Sequence, residues 1–240
     1  IASPKIALGL VSRLSVIGES SLVADIARQL QPPMWDSATS LAEFARHLSL
    51  MGAHELADQF AHAAVKRDPG HPPSLFMLAT MDVFFGRLDA AAANAERCLA
   101  ILPNEPATHW LLSRLRLPNP GLRIDRIRRA IATTTDGAAL TWLWYGLHNE
   151  LHDAKDFAAS WAALENGCRE KRAQLRYDPA DDDRLHEALL QWRSDEVALA
   201  DGHVDPGLTP VFVIGLHRSG TTLVERILGG HSRVTSGGET

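Results

Sequence analysis

The chain has 240 residues, 45% apolar and 22% charged, with a net charge of −5 at neutral pH. That composition sustains a buried core, excludes a disordered or collagen-like chain, and argues against nucleic acid or an anionic membrane as the main partner. No apolar run reaches the ~18 residues of a membrane span. Cys98 and Cys168 are too few for a disulfide framework, so two reduced, packed thiols and a cytoplasmic setting are expected. The chain begins at Ile1 rather than Met and stops at Thr240 inside a motif-like stretch, which reads as a piece of a longer gene product.

Residues 4–37 place Leu10, Val11, Leu22, Ile26 and Ala27 at helical spacing around Gly18. From residue 38 a period emerges. Pro69 and Pro103 lie 34 residues apart, as do Ala45 and Ala79, Gly52 and Gly86, Ala57 and Ala91, Ala61 and Ala95, and Ala64 and Cys98. The residue types suit a helical hairpin. Small side chains allow two antiparallel helices to approach, a glycine ends the first helix in a left-handed conformation, and a proline stops the second. Residues 106–138 begin the same way with Trp110 and Leu112. Pro118, Asn119, Pro120 and Gly121 then break the pattern before a basic helix. Residues 139–172 return to it with Trp142, Tyr145, Gly146, Ala158 and Ala162.

These units resemble the tetratricopeptide repeat, a helix–turn–helix of 34 residues, clearest over 38–71 and 72–105. The resemblance implies about five helix pairs over 1–175, stacked into a right-handed superhelix with a concave side. Trp110, Trp142, Trp144 and Trp161 read as repeat core. The basic stretch Arg114, Arg116, Arg123, Arg126, Arg128 and Arg129 reads as a solvated face, with attraction of an acidic acceptor as the alternative. His148 and His152, four apart, read as ordinary surface or packing histidines rather than a metal pair.

A different texture follows. Residues 176–208 read as a linker with one amphipathic helix carrying Leu185, Leu189 and Leu190. From Asp178 to Asp205 it holds nine acids and two bases. Val211, Phe212, Val213 and Ile214 then form a short β-branched apolar run, as a buried parallel strand would. Gly215 to Thr222 reads G-x-x-x-x-G-T-T, and Leu223, Val224, Ile227 and Leu228 recur at helical spacing. Strand, glycine-bounded loop and helix make a phosphate-binding loop, whose inward N–H groups meet the positive end of the helix. Thr221 stands where a Walker loop has lysine, which argues against ordinary ATP or GTP hydrolysis.

The run 211–225 resembles the opening of a sulfotransferase, whose core is P-R-S-G-T-[ST]-L. His231 to Val234 resembles the family's H-P-x-V, and Gly237-Gly238-Glu239 its G-x-E. Together with the repeats, the chain resembles the bacterial tetratricopeptide-repeat sulfotransferases, whose catalytic part is related to the tyrosylprotein sulfotransferases. His217 and Ser232 stand where the family has prolines.

The resemblance implies a mainly α chain: a repeat superhelix followed, over 209–240, by the strand–loop–helix start of an α/β P-loop-like sulfotransferase domain. It implies sulfuryl transfer from 3′-phosphoadenosine 5′-phosphosulfate (PAPS) to an acceptor hydroxyl, without a metal. His217, Arg218, Ser219, Gly220, Thr221 and Thr222 would hold the phosphosulfate. Arg218 would also act in catalysis, with Glu239 as general base. The acceptor would be a peptide, a glycan or a small hydroxyl compound. The concave face would dock that acceptor, a protein partner or a second copy of the chain. Two alternatives compete: a repeat scaffold with an idle loop, and a P-loop kinase or NTPase.

Overall fold

The computed structural model describes residues 4–191, 209–215 and 219–237. Its backbone divides into two compact units, residues 1–177 and 178–240.

The first unit is a ladder of helical hairpins: α1 (Pro4–Val16) with α2 (Ser20–Gln29), α3 (Ala38–Leu50) with α4 (His54–Arg67), α5 (Pro72–Phe84) with α6 (Leu88–Ile101), α7 (Pro106–Ser113) with α8 (Gly121–Thr133), and α9 (Gly137–Asp153) with α10 (Phe157–Ala173). The first helices of neighbouring pairs also pack on one another, α1 on α3, α3 on α5 and α7 on α9. This stacking buries what one pair cannot bury alone, and it is the superhelical repeat architecture.

The residues that recur at 34-residue spacing explain the packing. Ala45, Ala57, Ala61, Ala64, Ala79, Ala91, Ala95 and Cys98 are all fully buried. Each brings a backbone close to its neighbour, so a larger side chain has nowhere to go. Larger groups fill the spaces between pairs. Trp35, Phe44 and Phe60 form one aromatic cluster, with Phe44 4.8 Å from both Trp35 and Phe60. Gly18, Gly52 and Gly86 end the first helices at φ of +78°, +77° and +73°. In each turn the next N–H reaches back five residues to a carbonyl, as from Ala53 to Leu48 at 2.9 Å and Arg87 to Asp82 at 2.7 Å. The α9–α10 turn closes identically, Asp156 to Leu151 at 3.0 Å, but Lys155 occupies the left-handed position at φ +63°.

The fourth pair departs from the others. The Pro118–Gly121 break leaves α7 with eight residues, and Arg116 and Asn119 take positive φ in the connection. A buried ion pair holds it. Arg123 Nε donates to Glu150 Oε1 at 2.7 Å, while its other nitrogens donate to the carbonyls of Leu117 and Pro118. Three sequence expectations fail in this unit. Arg123 is not solvated but packed on Glu150. Cys168 is exposed. Trp142 and Trp161 are 41% and 62% exposed, although Trp142 meets the Trp110 ring of α7 at 4.8 Å.

In the second unit, α11 (Pro179–Gln191) leaves Leu185, Leu189 and Leu190 exposed, and α12 (Thr221–Gly229) follows the glycine loop. The expected strand is not formed among the described residues. Residues 209–215 carry no ladder, and Phe212 and Ile214 are 78% and 91% exposed. A strand exists only through its partners, and no other described segment offers an edge to pair with. No described helix is long and apolar enough to cross a membrane.

Candidate functional site

Four of the expected ligand-holding residues are described, and they are contiguous. Ser219 and Gly220 form the end of the loop, and Thr221 and Thr222 open α12. Gly220 sits at φ +91° and ends the loop in a left-handed conformation, so the helix starts abruptly after it. Leu223 and Val224 N–H groups close the first turn on the Gly220 carbonyl at 2.9 and 3.1 Å. The amides of Thr221 and Thr222, as the first two of a helix, have no intrahelical acceptor.

The loop doubles back on its own start. A Cβ on Gly215 would fall 2.9 Å from Thr221 Cγ2 and closer still to Ser219 Oγ. Glycine at 215 therefore permits the curl that places Ser219 and Thr221 beside the end of residues 211–214. A Cβ on Gly220 would meet nothing within 4 Å, so that side of the loop is open. Ser219, Thr221 and Thr222 set hydroxyls next to the helix-start amides, groups of the kind that favour an anion. His217, Arg218 and Glu239 lie outside the described residues. After α12, the Val234 N–H closes a turn on the His231 carbonyl at 2.9 Å, and Ser236 Oγ donates to Glu225 Oε1.

The repeat unit carries a second candidate, which sequence reasoning did not assemble. A groove of about 520 Å³ opens on the face built by the first helices α7 and α9. Trp110, Ser113, Arg114 and Arg116 line one wall, and His148, Asn149, His152 and Asp153 the other. The two helices meet at Gly146, where a Cβ would lie in ordinary contact 3.5 Å from Trp110 Cα. Asn149 Nδ2 donates to Ser113 Oγ at 3.0 Å across the floor. Ser160 Oγ donates to the His148 carbonyl, so the His148 ring donates from Nδ1 to Ser160, 2.8 Å from its Oγ. His148 and His152 have ring centroids 6.2 Å apart, and no group of three or more metal-ligating side chains occurs among the described residues.

Electrostatically the basic stretch sorts into used and unused charges. Arg126 forks onto Glu96 at 2.7 and 3.0 Å and holds that carboxyl below its ordinary range. Arg123 is committed to Glu150, whose burial pushes its pKa up despite the partner. Arg128 pairs with Asp125. Arg114 lies over the Trp110 ring at 4.8 Å. Among the described residues neither Arg114 nor Arg116 has a carboxylate within ion-pair range. The sequence signal was the basic run itself. What it hid was which arginines have partners, since Glu96 and Glu150 lie 30 and 27 residues from theirs.

Comparison with known proteins falls on the same two regions. The Sulfotransferase family profile matches residues 210–240. An uncharacterized protein of Aquifex aeolicus (strain VF5) is 34% identical over 98 residues, which is 39% of this chain and 12% of that protein. The chain thus spans about an eighth of that curated relative's length. By fold, a Podosopora anserina protein of nearly identical TPR-like repeats superposes with a TM-score of 0.57 at 16% identity, over 74% of this chain and 100% of that one. The MamA protein does so with a TM-score of 0.55 at 9% identity, over 73% and 96%. MamA from Desulfovibrio magneticus RS-1 gives 0.53 at 14%, over 72% and 98%. The chain therefore has a TPR-like repeat fold and a short C-terminal segment that is similar to a sulfotransferase.

Proposed function

We propose that the protein transfers a sulfuryl group from PAPS to an acceptor hydroxyl, with the repeats docking the acceptor or a partner protein. The observation that carries this is the loop: a glycine-bounded turn curled on its own start, opening a helix at Thr221, inside the 31 residues that the Sulfotransferase family profile matches. The described residues fit a phosphosulfate. They put hydroxyls on the residues that open a helix, whose first amides favour anions.

PAPS supplies an activated sulfuryl group and a good leaving nucleotide. The chain supplies position and charge. Ser219, Thr221 and Thr222 hold the terminal oxygens through hydroxyls and amides. Arg218 neutralises charge gathering on the bridging oxygen as that bond breaks. Glu239 takes the acceptor proton as its oxygen attacks. The cytoplasm is the compartment that suits this chemistry and the chain's cysteine usage.

The test separates holding from transferring. With labelled PAPS and a panel of tyrosine peptides, glycans and small hydroxyl compounds, the intact protein labels one class. Glu239→Gln keeps nucleotide binding and loses at least about a hundredfold in transfer. Full transfer by that variant contradicts the assigned base.

A further inference from the structure

We propose that the α7–α9 groove docks a peptide segment carrying carboxylate side chains, with Arg114 and Arg116 as its recognition pair. This rests on the repeat unit being a docking scaffold and adds what that scaffold selects.

Four observations converge. Arg123, Arg126 and Arg128 each have a carboxylate partner, while Arg114 and Arg116 line the groove without one among the described residues. The Arg114 guanidinium is already oriented, 4.8 Å over Trp110, whose ring meets Trp142 edge-on at 4.8 Å. A planar fork held this way loses little freedom when it takes a carboxylate. Arg116 holds a left-handed backbone at φ +50°, a conformation an L residue adopts at a cost and keeps only where its surroundings impose it. The one acid on the walls, Asp153, stands 4.0 Å from His152 and leaves the two guanidiniums unopposed.

Charge then selects the occupant. The groove walls carry two arginines against one aspartate, so an acidic segment is favoured there over a neutral one. The Trp110 face is taken by Arg114, which favours a carboxylate on the guanidinium over a sugar ring stacked on the indole. Asn149 donates to Ser113, and the buried Ser113 hydroxyl donates in turn to the Trp110 carbonyl, so these groups brace the two walls and leave recognition to the guanidiniums.

Fluorescence anisotropy on the whole chain tests this with three probes: a labelled short Glu/Ser peptide, its Gln/Ser counterpart, and a heparin-derived oligosaccharide. The acidic peptide should bind at least about tenfold more tightly than the glutamine peptide and weaken with salt. The Arg114→Gln/Arg116→Gln double variant should lose that tenfold preference, and Arg114→Lys/Arg116→Lys should recover part of it. Both variants keep the wild-type helical circular dichroism, since neither arginine is buried. Equal binding of the two peptides overturns the inference and leaves the scaffold reading standing. Binding of neither peptide overturns both. Tighter binding of the oligosaccharide through the same arginines overturns the choice of a peptide.

Discussion

The two regions of this molecule hold their structure in different ways. In residues 4–177 the period of the sequence is the pattern of burial: each alanine at 34-residue spacing is a contact between two helices. Among the described residues of 209–237 the large apolar side chains other than Val213 are exposed, and α12 buries none of its residues. A helical hairpin gets its partner from the next few dozen residues. A parallel strand gets its partner only from a sheet. The same chain therefore contains one region specified by local contacts and another whose apolar run meets no partner among the described residues.

The largest expected effect breaks the first region at the buried Arg123–Glu150 ion pair. Glu150→Ala should cost about 3 kcal/mol in urea unfolding, because it leaves Arg123 without its carboxylate. Replacing both, Arg123→Met with Glu150→Leu, should recover much of that loss, since burial already disfavours the Glu150 charge. Next, Ala79→Leu should cost about 1–3 kcal/mol by overpacking. Phe212→Ser, at a residue 78% exposed, should leave the same unfolding transition within about 0.5 kcal/mol. Similar costs for these two would erase the contrast between the regions.

A smaller effect comes from pH. His47 and His109 are buried and held neutral, chiefly by burial, with pKa values below the ordinary 6.5. His109 Nε2 donates to the Pro103 carbonyl at 2.8 Å. Arg46 reaches His47 Nε2 at 3.4 Å, while Ser15 sits at its Nδ1. For groups whose folded pKa is depressed, the unfolded chain binds more protons. Stability is thus complete above 6.5 and falls as pH drops below it, by at most ~1.4 kcal/mol per unit for each group. A melting temperature unchanged between neutral pH and pH 5 would contradict the neutral assignment. Opposite in sign is Lys155→Gly, which should stabilise by about 1 kcal/mol by placing at the α9–α10 turn the residue that Gly18, Gly52 and Gly86 supply elsewhere.

Legibility followed the same division. The hairpins are legible because their contacts are local and recur, down to the glycine at the first three turns. The break at Pro118–Gly121 was also visible, though not its consequence, since Arg123 and Glu150 come together only when α8 packs on α9. Trp142 and Trp161 were misjudged because an indole at a repeat position signals packing only if the next pair covers it. The strand at 211–214 was inferred from composition alone, which cannot supply a partner. Ser219, Gly220, Thr221 and Thr222 are legible as one loop-to-helix stretch because they are consecutive. The α7–α9 groove is not, because its walls come from segments more than thirty residues apart and each half looks ordinary alone.

The most direct measurement is calorimetry of adenosine 3′,5′-bisphosphate with the intact protein and its Arg218→Ala variant, with and without magnesium. The account predicts binding that needs no magnesium and is lost in the variant. Binding of magnesium–ATP in its place, or nucleotide binding indifferent to Arg218, would contradict it.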